Sequence, residues 1–152
     1  ERNSTEALMR ELRNPRYDER IQQAIDEDRH LRASEIERMT NAYARNLQRH
    51  RALVIAQTES LRMVNEARNR AVRQAARTAG VDVKRGTKTW QTTLDGRERP
   101  SHNALHGQTV PIDEPFTSPS GAQLMYPGDT SLGAGAAEVV NCRCAVVYNF
   151  EE

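Results

Sequence analysis

Apolar residues recur at three- and four-residue steps through the first half of the chain, and that spacing predicts helices. Ser4-Thr5-Glu6 precedes Ala7, Leu8, Met9 and Leu12, the pattern of a capped short helix that stops before Pro15. Asp18 is placed to cap a second helix carrying Ile21, Ala24 and Ile25 to about His30. Ser34-x-x-Glu37 reads as a capping box, followed by the stripe Ile36, Met39, Tyr43 and Leu47. From Arg51 to Ala79 there is no Pro or Gly, and good helix formers dominate. Leu53, Val54, Leu61, Val64, Ala67, Ala71, Val72 and Ala75 mark its expected packing face, and Gly80 is a natural terminator. This long helix is expected to span about 29 residues, or about 43 Å.

At Val81 the pattern changes: helical periodicity ends, and Gly, Pro, Thr and Ser become common. Thr87–Thr93 is expected to form a strand around Trp90, followed by an Asp95-Gly96 turn and one helical turn over Ser101–His106. Val110–Phe116 and Ala122–Met125 are short extended candidates separated by Pro119-Ser120-Gly121. Tyr126–Asp129 and Gly133–Gly135 read as loops, and Cys142–Phe150 as the closing strand. The expected fold class is α+β: a helical arm over residues 1–80 with one long helix, then a small loop-rich antiparallel β module over 81–152.

Composition sharpens this picture. Only 37% of the 152 residues are hydrophobic and 5% aromatic, with a mean hydropathy of −0.81. Such a chain builds a modest core and leaves helices solvated or buried against partners. No apolar run approaches the ~18–20 residues that span a bilayer, so no membrane partner is expected. Residue 1 is Glu, consistent with a processed, truncated or partly ordered piece of a longer protein. Residues 1–84 hold 17 Lys+Arg against 13 Asp+Glu, a net +4, whereas residues 85–152 hold 5 against 8, a net −3. Within the basic half, Arg70, Arg73 and Arg77 form part of a flank suited to phosphate contact, although a solvated face has the same composition.

Two constellations in the second half could carry chemistry. In a strand, Cys142 and Cys144 would point to the same side and could chelate one ion. Zinc needs further ligands, and His102 and Asp95 supply them, with His106 as a substitute. Such an ion would staple a module with little core. Two reduced buried thiols, or a strained bridge between them, are the alternatives. The second constellation is Asp95-Gly-Arg97-Glu-Arg99-Pro-Ser-His102. It holds the parts of a metal-free nuclease: His102 as general base, with Arg97 or Arg99 stabilising a phosphate-like transition state. The structural reading, which the residues favour, is a loop locked by Asp95 pairing with Arg97 or Arg99 while His102 hydrogen-bonds the backbone. A partner acid–base group for His102 is not evident beyond His106 and scattered carboxylates.

Taken in order, RALVIAQTE (Arg51–Glu59), NEAR (Asn65–Arg68), Trp90, DGRERPSH (Asp95–His102), ALHGQTVPIDEPF (Ala104–Phe116), a Pro-Gly-Asp loop and NCRC (Asn141–Cys144) closely resemble the phage Mu F-like, or phage head morphogenesis, family. The resemblance covers about residues 50–148, and its recurring positions fall on Asp95, Arg99, His102, Gly107, Cys142 and Cys144. It implies a non-enzymatic minor capsid protein of a tailed phage. Such proteins are present in few copies, associate with the portal or lie inside the procapsid, and are implicated in head assembly and DNA ejection. The implied location is the virion, with assembly in the host cytoplasm. The implied partners are the portal, other head proteins, further copies of the chain and packaged double-stranded DNA. The family supplies no agreed catalytic mechanism. The rival readings are a small nuclease or toxin-type effector using His102 with Arg97 or Arg99, and a non-specific DNA-binding protein.

Overall fold

In a computed structural model of the chain, residues 12–150 are described. The short helix expected between the Ser4-Thr5-Glu6 cap and Pro15 lies mostly outside them. Helix α1 spans Pro15–Asp26 and α2 spans Ala33–Thr78. After a 3-10 turn at Val83–Arg85 come β1 (Gly86–Gln91), α3 (Pro100–Leu105), β2 (Thr109–Pro111), β3 (Phe116–Thr117), β4 (Gln123–Leu124), α4 (Ala136–Val139) and β5 (Ala145–Phe150). This is the α+β class expected: a long helix followed by a small antiparallel module. No helix among the described residues is long and apolar enough to cross a membrane.

The chain divides into two compact units, at Leu53 and Val54. In the first, α1 is capped by Asn14, whose side chain accepts from the Arg16 N–H at 3.1 Å, with Pro15 opening the helix. Asp18 therefore sits in the first turn rather than at the cap. The expected Ser34/Glu37 box is also displaced, by two residues: Glu35, in the first turn of α2, accepts from the Arg32 N–H at 2.9 Å. Leu12 and Ala24 are buried, and the Asn46 amide donates to the Leu12 carbonyl at 2.9 Å.

Helix α2 is continuous where two helices were expected. No Pro or Gly interrupts residues 33–78, so the change of apolar stripe near Leu47 is a change of face rather than a break. Its end is a Schellman arrangement, with Val81 N–H bonding Ala76 O, Gly80 N–H bonding Arg77 O, and Gly80 at φ +69°.

The second unit begins at Val54, so it is larger than the module drawn at residue 81: the C-terminal part of α2 belongs to its packing. The apolar face expected for this part of the helix is only partly the one buried: Leu61 packs against the core of the module and Val54 and Val72 are half-buried. Val64, Ala67, Ala71 and Ala75 are exposed, while Asn65, Asn69 and Ala76 are buried. Beside the apolar contact of Leu61, the helix is held by polar contacts. Thr58 Oγ1 accepts from Asn141 N–H at 3.0 Å. Asn65 donates to the carbonyls of Pro127 (3.1 Å) and Cys144 (3.3 Å), and Asn69 donates to the Tyr148 hydroxyl (3.1 Å). Arg73 donates to Asn69 Oδ1 and to the Ile112 carbonyl at 2.7 Å. Gly128, at φ +85°, lets the Pro127–Asp129 loop lie against Arg62, where an added Cβ would sit 3.3 Å from the Arg62 Cβ.

The sheet order is β2-β1-β5, antiparallel throughout, with Trp90 opposite Val146 and Lys88 between Val110 and Tyr148. β3 and β4 form a separate hairpin pairing Phe116 with Leu124. Strand β1 alternates, and its inward face carries Gly86, Lys88 and Trp90. Trp90 meets Phe116 edge-on at 5.2 Å, and Leu105, Leu124, Val139 and Val146 complete the apolar cluster with both cysteines. Lys88 is buried beside it. Its Nζ donates to the Met125 carbonyl at 2.7 Å and lies 5.0 Å from the Phe116 ring centre. Burial, assisted by repulsion from Arg73, lowers its pKa to about 8. Asp129 organises the adjacent loop by accepting from Met125 and Ser131 N–H groups, both at 2.8 Å.

Candidate functional site

The site lies where three irregular segments meet beneath Trp90. Pro100 opens α3, which turns His102 inward against the indole, with ring centres 5.4 Å apart. The short helix α4 supplies Glu138. Asn141, at φ +54°, ends the following turn and feeds the chain into β5. The strand starts at Ala145, so both cysteines precede it, contrary to the strand placement expected for them. The irregular lead-in nevertheless brings both sulfurs to His102.

His102 is 2% exposed, and its two ring nitrogens face different chemistry. Nδ1 lies 3.4 Å from Cys144 Sγ and 3.7 Å from Cys142 Sγ. Nε2 lies 3.2 Å from Glu138 Oε2, in ion-pair range but off the axis of the ring N–H. The Thr92 hydroxyl donates to the His102 carbonyl at 2.7 Å and sits 3.7 Å from Cys144 Sγ. Both cysteines are free thiols, so the bridge considered between them is not formed. Sharing a proton with Cys144, together with burial, pushes the Cys142 thiol up. The same interaction, aided by His102 and Thr92, pulls Cys144 down against its burial.

Glu138 is buried among hydroxyls. Ser120 donates to Oε1 at 2.7 Å and Ser101 to Oε2 at 3.0 Å. Burial pushes its pKa up, but the bonds from Ser120 and Ser101 and the neighbouring His102 outweigh it, and the net shift is downward. Sequence reasoning missed this residue because it lies between the Gly133–Gly135 loop and the Cys142–Phe150 strand, in a segment with no pattern of its own. The available signal was an isolated acid in Ala136-Ala-Glu-Val-Val, flanked by small and apolar residues on both sides.

The structure brings together three of the expected ligands, His102, Cys142 and Cys144, as a buried cluster able to coordinate a metal ion, with donor atoms all within 4.8 Å of one another. Asp95 and His106 are placed elsewhere. The Asp95 carboxylate makes a two-point pair with Arg143 (2.5 and 2.8 Å) and a further contact with Arg97 (2.9 Å). These cations, Arg143 first, hold it well below the usual carboxylate range. His106 Nδ1 accepts from the Thr92 N–H at 3.1 Å.

The nuclease parts are likewise committed to structure. Arg97 pairs with Asp95, and the Arg99 guanidinium donates to the carbonyls of Glu138 and Val140. The predicted loop lock is therefore present, with Arg143 as its unforeseen member. Of the arginines considered for DNA, Arg70 is exposed and pairs with Glu66, Arg77 is exposed, and Arg73 is engaged with Asn69 and Ile112. A cavity of about 120 Å³ borders the thiol–imidazole cluster and is lined also by Thr93, Glu98 and Arg99.

A long helix carrying a small β module sealed by a buried dithiol–imidazole cluster is the class of structure defined by this fold and site. The chain belongs to the family described as Phage Mu protein F like protein, whose profile matches residues 4–147. This is a phage head-morphogenesis family, consistent with a structural, non-catalytic role in capsid assembly. The chain is also similar to a curated protein, NAD(+)--arginine ADP-ribosyltransferase EFV of Enterococcus faecalis (strain ATCC 700802 / V583). The two are 33% identical over 96 residues, covering 63% of this chain and 18% of that protein. The chain thus spans less than a fifth of that relative's length. No solved structure matches.

Proposed function

We propose that this chain is a minor head protein of a tailed bacteriophage that docks on the portal or the inside of the head during assembly. The observation that carries the reading is the family match over residues 4–147. The helical residues support it: Ile21, Ile25, Ile36, Leu47 and Leu53 are large, apolar and exposed, as expected of surfaces that find their burial on other subunits or further copies. Packaged double-stranded DNA is a further partner in this reading, reached through Arg70 and Arg77, with Arg73 tying the helix to the module beside them. The small module acts as a rigid clasp at one end of α2, and catalysis is not required of it. The transferase activity named for the Enterococcus protein is not carried over, given the small part of that protein covered.

Mass spectrometry of purified phage heads after cross-linking tests the assignment. The chain should be present in few copies and joined to the portal, and Ile36→Ser with Leu47→Ser should reduce its incorporation several-fold. Its absence from purified heads would refute the reading. For the DNA contact, Arg70→Ala with Arg77→Ala should weaken binding to duplex and reduce the salt dependence of that binding.

A further inference from the structure

We propose that His102 Nδ1 and the thiolates of Cys142 and Cys144 bind one zinc ion, and that Glu138 is the positioning residue that aims the imidazole at it. The geometry carries this without reference to the head-protein reading. Zinc bonds of about 2.3 Å to sulfur and about 2.0–2.1 Å to nitrogen, at tetrahedral angles, place nitrogen and sulfur about 3.5 Å apart. The two observed separations, 3.4 and 3.7 Å, bracket that value. All three ligands are buried, and two sulfurs with one imidazole favour zinc over harder ions.

The ring's other nitrogen supplies the second observation. Nε2 is buried and has no aligned hydrogen-bond partner, yet Glu138 Oε2 stands 3.2 Å away. A carboxylate there accepts the Nε2 proton and leaves the Nδ1 lone pair directed at the sulfurs, the outer arrangement that fixes a metal-binding histidine. Ser120 holds the carboxylate by its other oxygen, and Ser101 donates to the same Oε2 that faces the ring. This revises the ligand set expected from sequence: Asp95 is paired with arginines, and His106 accepts from Thr92. Among the described residues no fourth His, Cys or carboxylate joins the group. The fourth position is therefore assigned to solvent from the neighbouring cavity. On binding, both sulfurs coordinate as thiolates and their protons leave to solvent.

The 152-residue chain, purified under reducing conditions and stripped of metal, should take up one zinc per chain. Cobalt(II) in its place should give the intense absorption of a tetrahedral thiolate site and quench Trp90, the only tryptophan in the sequence. Cys142→Ser and Cys144→Ser should each lose this signature. Glu138→Gln keeps an amide to meet the serines, and should weaken zinc by about 10–100-fold in chelator competition while keeping the cobalt spectrum tetrahedral. Failure of the unaltered chain to take up zinc or cobalt would overturn the site. Wild-type affinity in Glu138→Gln would overturn the role of Glu138. Either result leaves head incorporation to be judged on its own.

Discussion

Two stretches of this chain solve the burial problem in opposite ways. In the first compact unit, the described large apolar residues on α1 and α2 are mostly exposed: Ile25 is 64% accessible and Leu53 54%. In the second, Trp90, Ile112, Phe116 and Leu124 are fully buried although that segment is poorer in regular structure. Helix propensity alone can maintain an exposed helical face, because every backbone group inside it is already bonded. A module of two- and three-residue strands has no such reserve and must obtain its shape from side chains. Stability should accordingly be concentrated in the module, and the helical face left free for partners.

The sharpest contrast is Trp90→Ala against Leu47→Ala. The first removes the side chain at the centre of the core and should cost about 3–5 kcal/mol, whereas the second should cost less than about 0.5 kcal/mol. Equal losses in chemical denaturation would break the comparison.

Next comes Asn65→Ala. It strips the donor from the buried carbonyls of Pro127 and Cys144 and should destabilise by about 1–3 kcal/mol, a large effect for a polar residue on a helix. A neutral result would show that the module is held to α2 by apolar contact instead.

The smallest effect concerns Lys88. Its folded pKa, about 8, lies below the ordinary lysine value of about 10.4, so the unfolded chain binds more protons between these limits. Stability should therefore rise as pH increases from about 8 to about 10, by about 1 kcal/mol once solvent screening is discounted. Lys88→Met should flatten that rise, and an unchanged slope would place the titration elsewhere.

Legibility in the sequence followed the strength of local rules. The long helix, its Gly80 terminator, the strand at Trp90 and the Asp95 turn all rest on short-range chemistry and were readable. The stripe ending at Leu47 and the segment from Arg51 read as two helices, although nothing in residues 33–78 can break one. The packing face is legible only in part, at Leu61, for a different reason. Asn65 and Asn69 are buried by carbonyls and a tyrosine that lie more than 60 residues away, and helical spacing contains no information about those acceptors. The alternation in Thr87-Lys-Thr-Trp did carry a clue, since an inward Trp90 requires an inward Lys88. At the site, the ligand types were legible, but the exclusion of Asp95 depended on Arg143, 48 residues further on, and Glu138 had no partner in its own neighbourhood.

The contacts at Thr58, Asn65, Asn69 and Arg73 fall at intervals of seven, four and four residues, so they lie along one line of α2. Apolar packing tolerates sliding, because one greasy surface resembles another. Directional bonds at fixed heights do not: a shift of one helical turn would misalign all four at once. From Thr58 to Arg73 the helix thus serves as a notched rod on which the clasp has a single seat.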